Sequence, residues 1–125
     1  MIFLDTHVVL WLYRGDLTIF PPSVLERLES QELLMSPIAL LELQYLYEIK
    51  RIKVHPRKIY DELKGKIGLS LASESLEDII LIGLDQSWTR DPFDRLIVSH
   101  AKLLNLKLVS KDKTILDHYQ NAVWN

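Results

Sequence analysis

Hydrophobic positions along the chain follow two rhythms. Short unbroken apolar runs, such as Ile2-Phe3-Leu4, Leu33-Leu34-Met35 and Leu108-Val109, are separated by longer stretches in which apolar residues return every three or four positions. An apolar run without polar alternation reads as a strand covered on both faces, as in a parallel sheet, and the longer period reads as an amphipathic helix. The first strand runs into Asp5. Val8 to Tyr13 then predict a buried helix that stops near Arg14-Gly15. Pro21-Pro22-Ser23 opens a second helix to about Ser30, and Glu32 to Ser36 reads as the second strand. Pro37 starts a long helix to about Lys50, with Ile38, Leu41, Tyr45 and Ile49 at helical spacing and Leu40, Leu43, Leu46 and Tyr47 widening the buried face. A helix from Pro56 to about Lys66 follows, then a third strand within Gly68 to Ala72. Ser73 or Ser75 caps a helix carrying Leu76, Ile79, Ile80, Ile82 and Leu84, and Asp91-Pro92 opens another with Phe93, Leu96, Ile97, Ala101 and Leu104 inward. A strand from Lys107 to Ser110, a short helix from Asp112 to His118 and a strand at Ala122 to Trp124 complete the chain. Strands alternating with helices in this way predict an α/β fold, a three-layer α/β/α sandwich around a central, mostly parallel sheet.

Composition narrows the chemistry. The 125 residues suit a single domain, residues 1–125, with a real hydrophobic core. There is no cysteine, which excludes disulfides, thiolate catalysis and cysteine zinc sites and fits a cytoplasmic protein. A net charge of −2 gives no general pull toward nucleic acid, so any such affinity must be local. Asp5 and His7 interrupt the first apolar run, so no signal peptide is expected, and no apolar stretch approaches a membrane span.

The acids carry the candidate chemistry. In open α/β sheets ligands bind outside the carboxyl ends of the strands, where Asp5 and Asp112 are expected. Each also reads as the cap of the helix that follows it. Asp91 fits the N-cap before Pro92 and Asp94 the third helical position, a pair resembling a capping box with Asp in place of Glu. Glu42 is different. It lies mid-helix, with apolar Ile38, Leu41, Leu43, Tyr45 and Leu46 around it, so capping cannot explain it. A lone carboxylate buried there costs several kcal/mol and must reach solvent, a partner or a metal. If Asp5, Glu42, Asp94 and Asp112 converge at one sheet edge, they repel and raise one another's pKa. A divalent cation relieves that conflict, and an all-oxygen set favours Mg²⁺ or Mn²⁺ over zinc.

These segments resemble a known family. Leu4-Asp5-Thr6-His7, Ser36-Pro37 leading to Leu41-Glu42-Leu43, Arg90-Asp91-Pro92-Phe93-Asp94-Arg95 and Leu108-Val109-Ser110-Lys111-Asp112 are similar, in order and spacing over nearly the whole chain, to the PIN-domain family and specifically to VapC-type toxins. The resemblance implies a metal-dependent ribonuclease, a homodimer, and silencing by a cognate VapB-type antitoxin. It carries the family's acidic quartet onto Asp5, Glu42, Asp94 and Asp112, as catalytic and metal-binding residues, with one or two Mg²⁺ or Mn²⁺ ions. Ser110 occupies the Ser/Thr position near the fourth acid, and Asp91 is an extra acid of one branch. The implied products of RNA hydrolysis carry 5′-phosphate and 3′-hydroxyl ends.

Secondary roles are read from position. Ser110 and Thr6 are placed to orient an acid or water, or to serve as turn and helix-start residues. Lys50, Arg51, Lys53, Arg57 and Lys58 form the most basic stretch, a candidate RNA contact or a solvated helix end. Arg95 is expected to pair with a carboxylate or touch RNA. Trp11, Trp88 and Trp124 read as core or dimer contacts rather than base-stacking platforms, His7 as structural or solvated, and His55, His100 and His118 show no ligand spacing. An antitoxin is expected to place a cationic side chain among the acids and an apolar helix in a groove beside them. Two rivals remain: a catalytically silent PIN fold that binds RNA or protein, and a phosphotransfer domain with Asp5 as acceptor, which leaves Glu42 and Asp94 unexplained.

Overall fold

The computed structural model describes residues 1–125. Five strands form one parallel sheet in the order β3-β2-β1-β4-β5: β1 Ile2–Leu4, β2 Leu33–Met35, β3 Ser70–Leu71, β4 Leu108–Val109 and β5 Ala122–Val123. The central strand β1 pairs Phe3 with Leu34 on one side and with Leu108 on the other. Ile2, Phe3 and Leu4 point alternately to opposite faces, and all three are fully buried. Both faces are therefore covered, which makes the molecule a three-layer α/β/α sandwich.

The helices are α1 Thr6–Arg14, α2 Pro22–Ser30, α3 Pro37–Glu48, α4 Pro56–Ile67, α5 Leu76–Gly83, α6 Pro92–Leu103 and α7 Lys113–His118. A short 3-10 turn at Leu17–Ile19, which the apolar pattern does not announce, joins α1 to α2. Most boundaries match the expected caps. Gly15 and Gly68 end α1 and α4 in the left-handed conformation, and Ser36, Ser75, Asp91 and Asp112 each accept a hydrogen bond from the first turn of the following helix. The caps divide at Ser73 and Ser75 in favour of Ser75. One helix ends earlier than expected. α3 stops at Glu48 rather than near Lys50, because Lys50 takes φ 63° and lets the Arg51 amide reach back to the Leu46 carbonyl at 2.8 Å.

The buried face of α3 also differs from expectation. Leu41 is 59% exposed and Tyr45 49%, and Tyr47 and Ile49 are exposed as well, so most of the periodic stripe faces outward. Ala39, Glu42 and Leu43 face inward instead. The helix is apolar on nearly every side, so period alone did not select the inner face. α5 behaves similarly: Ile79 and Gly83 are buried, whereas Leu76, Ile80, Leu81 and Leu84 are exposed.

The strand order fixes where a site can form. From β1 the chain first moves outward to β2 and β3, then returns to the other side for β4 and β5. The crossovers diverge between β1 and β4, leaving a crevice outside their carboxyl ends. Asp5 follows β1 at that crevice, and Ser110, Lys111 and Asp112 follow β4.

Candidate active site

Asp5, Glu42 and Asp94 each offer a carboxylate oxygen, and these atoms lie within 4.8 Å of one another. They come from three elements: Asp5 from the end of β1, Glu42 from the inner face of α3, and Asp94 from the first turn of α6. With Asp91, Asp112, His7, Trp11 and Lys111 they line a cleft of about 420 Å³. The cleft thus gathers all five acids singled out in the sequence. Asp112 stands apart from the tight group of three, and its Oδ1 accepts from the Ile115 amide at 3.1 Å. All four acids of the expected quartet line one cleft, and three of them form its tight group.

Asp5 is 6% exposed, and both its oxygens are engaged. The Thr6 amide donates to Oδ1 at 2.8 Å, and the Ser110 hydroxyl donates to Oδ2 at 2.7 Å. Cap and site are therefore one role, since the bonds that begin α1 also fix the carboxylate. Ser110 is fully buried, and its Oγ accepts from the Asp112 amide at 3.1 Å, so one hydroxyl ties the two strand ends together.

Asp94 owes its freedom to Asp91. Asp91 Oδ1 accepts from the amides of Phe93 and Asp94 at 2.9 and 3.2 Å, while the Asp91 amide donates to Thr89 Oγ1 at 3.1 Å. The reciprocal half of a capping box is therefore missing: Asp is one methylene shorter than Glu, and a threonine hydroxyl takes the amide. The Asp94 carboxylate points at the other acids instead. Burial, followed by the charges of Asp5, Asp91, Glu42 and Asp112, raises it to about 8. Burial is also the largest cause that raises Asp5 and Glu42 above the ordinary carboxylate range. Glu42 Oε1 and Thr6 Oγ1 are the two buried side-chain polar atoms with no hydrogen-bond partner. The Thr6 hydroxyl approaches Glu42 and eases its ionisation without a bond of good geometry. Nearly every buried polar atom in a folded protein is paired, so this oxygen stands out as open to a water or an ion.

The basic residues lie elsewhere. Lys50, Arg51 and Lys53 line a second cleft against Leu10, Tyr13 and Arg14 of α1, Arg57 lines a third between α3 and α4, and Lys58 is exposed on α4. None lines the acidic cleft. Arg95 pairs with no carboxylate. Its guanidinium donates to the carbonyls of Gly83, Leu84 and Thr89 at 2.6, 3.2 and 3.3 Å, closing the end of α5. Sequence could not reveal this, because main-chain acceptors leave no side-chain signature. His100 is fully buried outside the cleft, with Nδ1 2.8 Å from Ser36 Oγ and Nε2 2.9 Å from Glu74 Oε1. Ser36 is itself buried and occupied in capping α3, so this Ser–His–Glu array braces the fold and presents no accessible nucleophile. Three lining residues were missed or set aside by sequence reasoning: His7, Trp11 and Lys111. The available signal was proximity, since His7 and Trp11 share one face of α1 and Lys111 separates Ser110 from Asp112.

With this geometry in place, similarity to known proteins is informative. The PIN domain family matches residues 2–121. The chain belongs to the PIN domain family. Among solved structures, the chain is similar to VapBC2 of Rickettsia felis bound to a DNA fragment from its promoter, at 24% identity and TM-score 0.66, covering 98% of this chain and 96% of that one. It is likewise similar to DNA-bound VapBC of Salmonella typhimurium, at 19% identity and TM-score 0.60 with the same coverage. At these identities the likeness is one of PIN fold. No curated protein matches the chain significantly.

Proposed function

We propose that this PIN-domain protein is a metal-dependent endoribonuclease, the toxin of a VapBC-type pair. The observation that carries the reading is the carboxylate triad with an unpartnered, buried Glu42 oxygen. Three acids held so close resist ionisation, yet the fold spends buried space and hydrogen bonds on keeping them together. Their oxygen-only chemistry fits Mg²⁺ or Mn²⁺, with Asp5, Glu42 and Asp94 holding the ion and Asp112 joining directly or through water. When bound, a divalent cation supplies the charge that acidifies an attacking water and offsets the charge growing on the phosphate.

The chain's own residues do the rest. Ser110 and the Thr6 amide hold Asp5 in one orientation, so its ligand geometry is set before substrate arrives. Asp91 orients Asp94 through the α6 cap. A cleft carboxylate not engaged by the ion can take the proton from water.

Two partners are proposed with this activity. A VapB-type antitoxin would place an Arg or Lys among the five cleft acids and lay an apolar helix in the cleft of about 600 Å³ between α3 and α4, against Leu40, Leu41 and Tyr60. A second copy of the chain would cover the exposed Tyr45 of α3 and Ile80, Leu81 and Leu84 of α5, helices that both pack on α6.

The test is incubation of purified protein with total RNA, including tRNA, in Mg²⁺, Mn²⁺ or EDTA, beside Asp5→Asn. New 5′-phosphate ends that need both metal and Asp5 support the proposal. No cleavage of any RNA together with no metal binding would replace it with a silent binding module.

A further inference from the structure

The acidic cleft has two unlike walls. Five of its eight lining residues are carboxylates, and the other three are His7, Trp11 and Lys111. Trp11 is its one large apolar surface and Lys111 its one lysine or arginine. Both come from the segments that place the acids: Trp11 sits six residues after Asp5, and Lys111 immediately precedes Asp112.

Trp11 is firmly held. Phe20 meets it at 6.2 Å between ring centroids and an interplanar angle of 76°, and Trp124 at 5.8 Å and 63°. Such near-perpendicular contacts are favourable aromatic packing and account for Trp11 as a core residue. They do not account for its share of the cleft wall, for the His7 ring 6.1 Å away one helical turn earlier, or for the Lys111 ammonium 6.0 Å above the indole. His7 and Lys111 are both exposed, and 6.0 Å is the outer limit of a useful cation–π contact. Lys111 therefore sits over the ring without being fixed there.

A nucleotide has the same two-sided character as the cleft, a charged phosphate beside an apolar π-face. We infer that Trp11 is the base platform of this site: it stacks one unpaired nucleobase next to the scissile phosphate, while Lys111 swings from the ring to a neighbouring backbone phosphate. The inference rests on the ribonuclease reading and deepens it at two residues, Trp11 for a base free to stack and Lys111 for the neighbouring phosphate. Stacking tolerates any base, so Trp11 favours unpaired over paired nucleotides without selecting a sequence.

The experiment measures kcat and KM on a short single-stranded RNA with Mg²⁺ for wild type, Trp11→Phe, Trp11→Leu and Lys111→Gln. Melting curves establish that each variant is folded; Leu keeps the apolar contacts with Phe20 and Trp124 and removes the π-face. Trp11→Leu should raise KM roughly 5- to 100-fold with little change in kcat, while Trp11→Phe stays within about threefold of wild type. An abasic site walked along the RNA should weaken wild type at one position, where Trp11→Leu is indifferent. Lys111→Gln should lower the salt dependence of binding by about one phosphate contact, and Trp11→Leu should leave it unchanged. An unaltered KM for folded Trp11→Leu, in an enzyme that cleaves RNA, overturns the platform alone. A wild type that neither binds nor cleaves RNA overturns the ribonuclease reading and the platform with it.

Discussion

Replacing Asp94 by Asn should make the metal-free protein more stable at neutral and alkaline pH. Asp94 is raised from 3.8 to about 8, chiefly by burial and then by the charges of Asp5, Asp91, Glu42 and Asp112. A carboxyl whose folded value lies above its unfolded value stabilises the protein below the unfolded value. That stability is lost as pH rises through the folded value. Between about pH 5.5 and pH 8 the loss from Asp94 alone is at most ~3 kcal/mol, at 1.36 kcal/mol per pH unit less the half-titration at the upper end. Solvent reaches the half-buried cleft and screens its charges, and the proton is shared among three acids, which brings the expected loss to ~1–2 kcal/mol. For a chain of this size that is a melting temperature lower by ~4–8 °C at the higher pH. Asn has the shape of the protonated acid and no charge, so Asp94→Asn should flatten most of this slope. Mn²⁺ should do the reverse for wild type, stabilising it more at pH 8 than at pH 5.5, because binding displaces protons from the ligands. Thermal melts at several pH values, with EDTA or Mn²⁺, read all of this. A wild type equally stable across the range, or a Mn²⁺ effect that survives Asp94→Asn in full, would refute the coupled-carboxylate argument.

Other predictions concern the supporting residues. Ser110→Ala removes the hydroxyl that joins Asp5 Oδ2 to the Asp112 amide, and should cost ~1–2 kcal/mol of stability and about tenfold or more in metal affinity, measured by melting and calorimetry. His100→Phe leaves the buried Ser36 hydroxyl and the Glu74 carboxylate without their imidazole partner, and should destabilise by ~2–3 kcal/mol in a denaturant titration. An unchanged midpoint would contradict the brace. Tyr45→Glu with Leu84→Glu should convert the proposed dimer to a monomer in sedimentation while preserving the fold, since both side chains are exposed in one copy.

The parts of the fold that sequence revealed are those with one local cause. β1 was readable because its apolar residues are buried on both sides, and Asp5 because a charge ends that run. Asp91 was recognisable as a cap from Pro92, and Glu42 as anomalous from its apolar neighbours. What stayed hidden depends on contacts distant in sequence. The inner face of α3 is set by its packing against α1, α4 and α6, and its outward Leu41 and Tyr45 look in sequence like core residues. Arg95 is tied to carbonyls six to twelve residues earlier, which no motif records. Asp112 shares the cleft with the other acids while its carboxylate also caps α7 through the Ile115 amide, a double role that sequence left as two alternatives. Trp11 was read as core, and its packing on Phe20 and Trp124 agrees; its second surface, in the cleft, appears only once β4 brings Lys111 across.

Glu42 bears the account most directly, since it caps nothing and its buried Oε1 has no partner within the protein. The decisive measurement is the rate of RNA cleavage by Glu42→Gln relative to wild type in Mg²⁺. The account predicts a fall of about 10²-fold or more in a variant that melts no lower than wild type, because the change removes a repelling charge while removing a metal ligand. Cleavage at the wild-type rate by Glu42→Gln would contradict it.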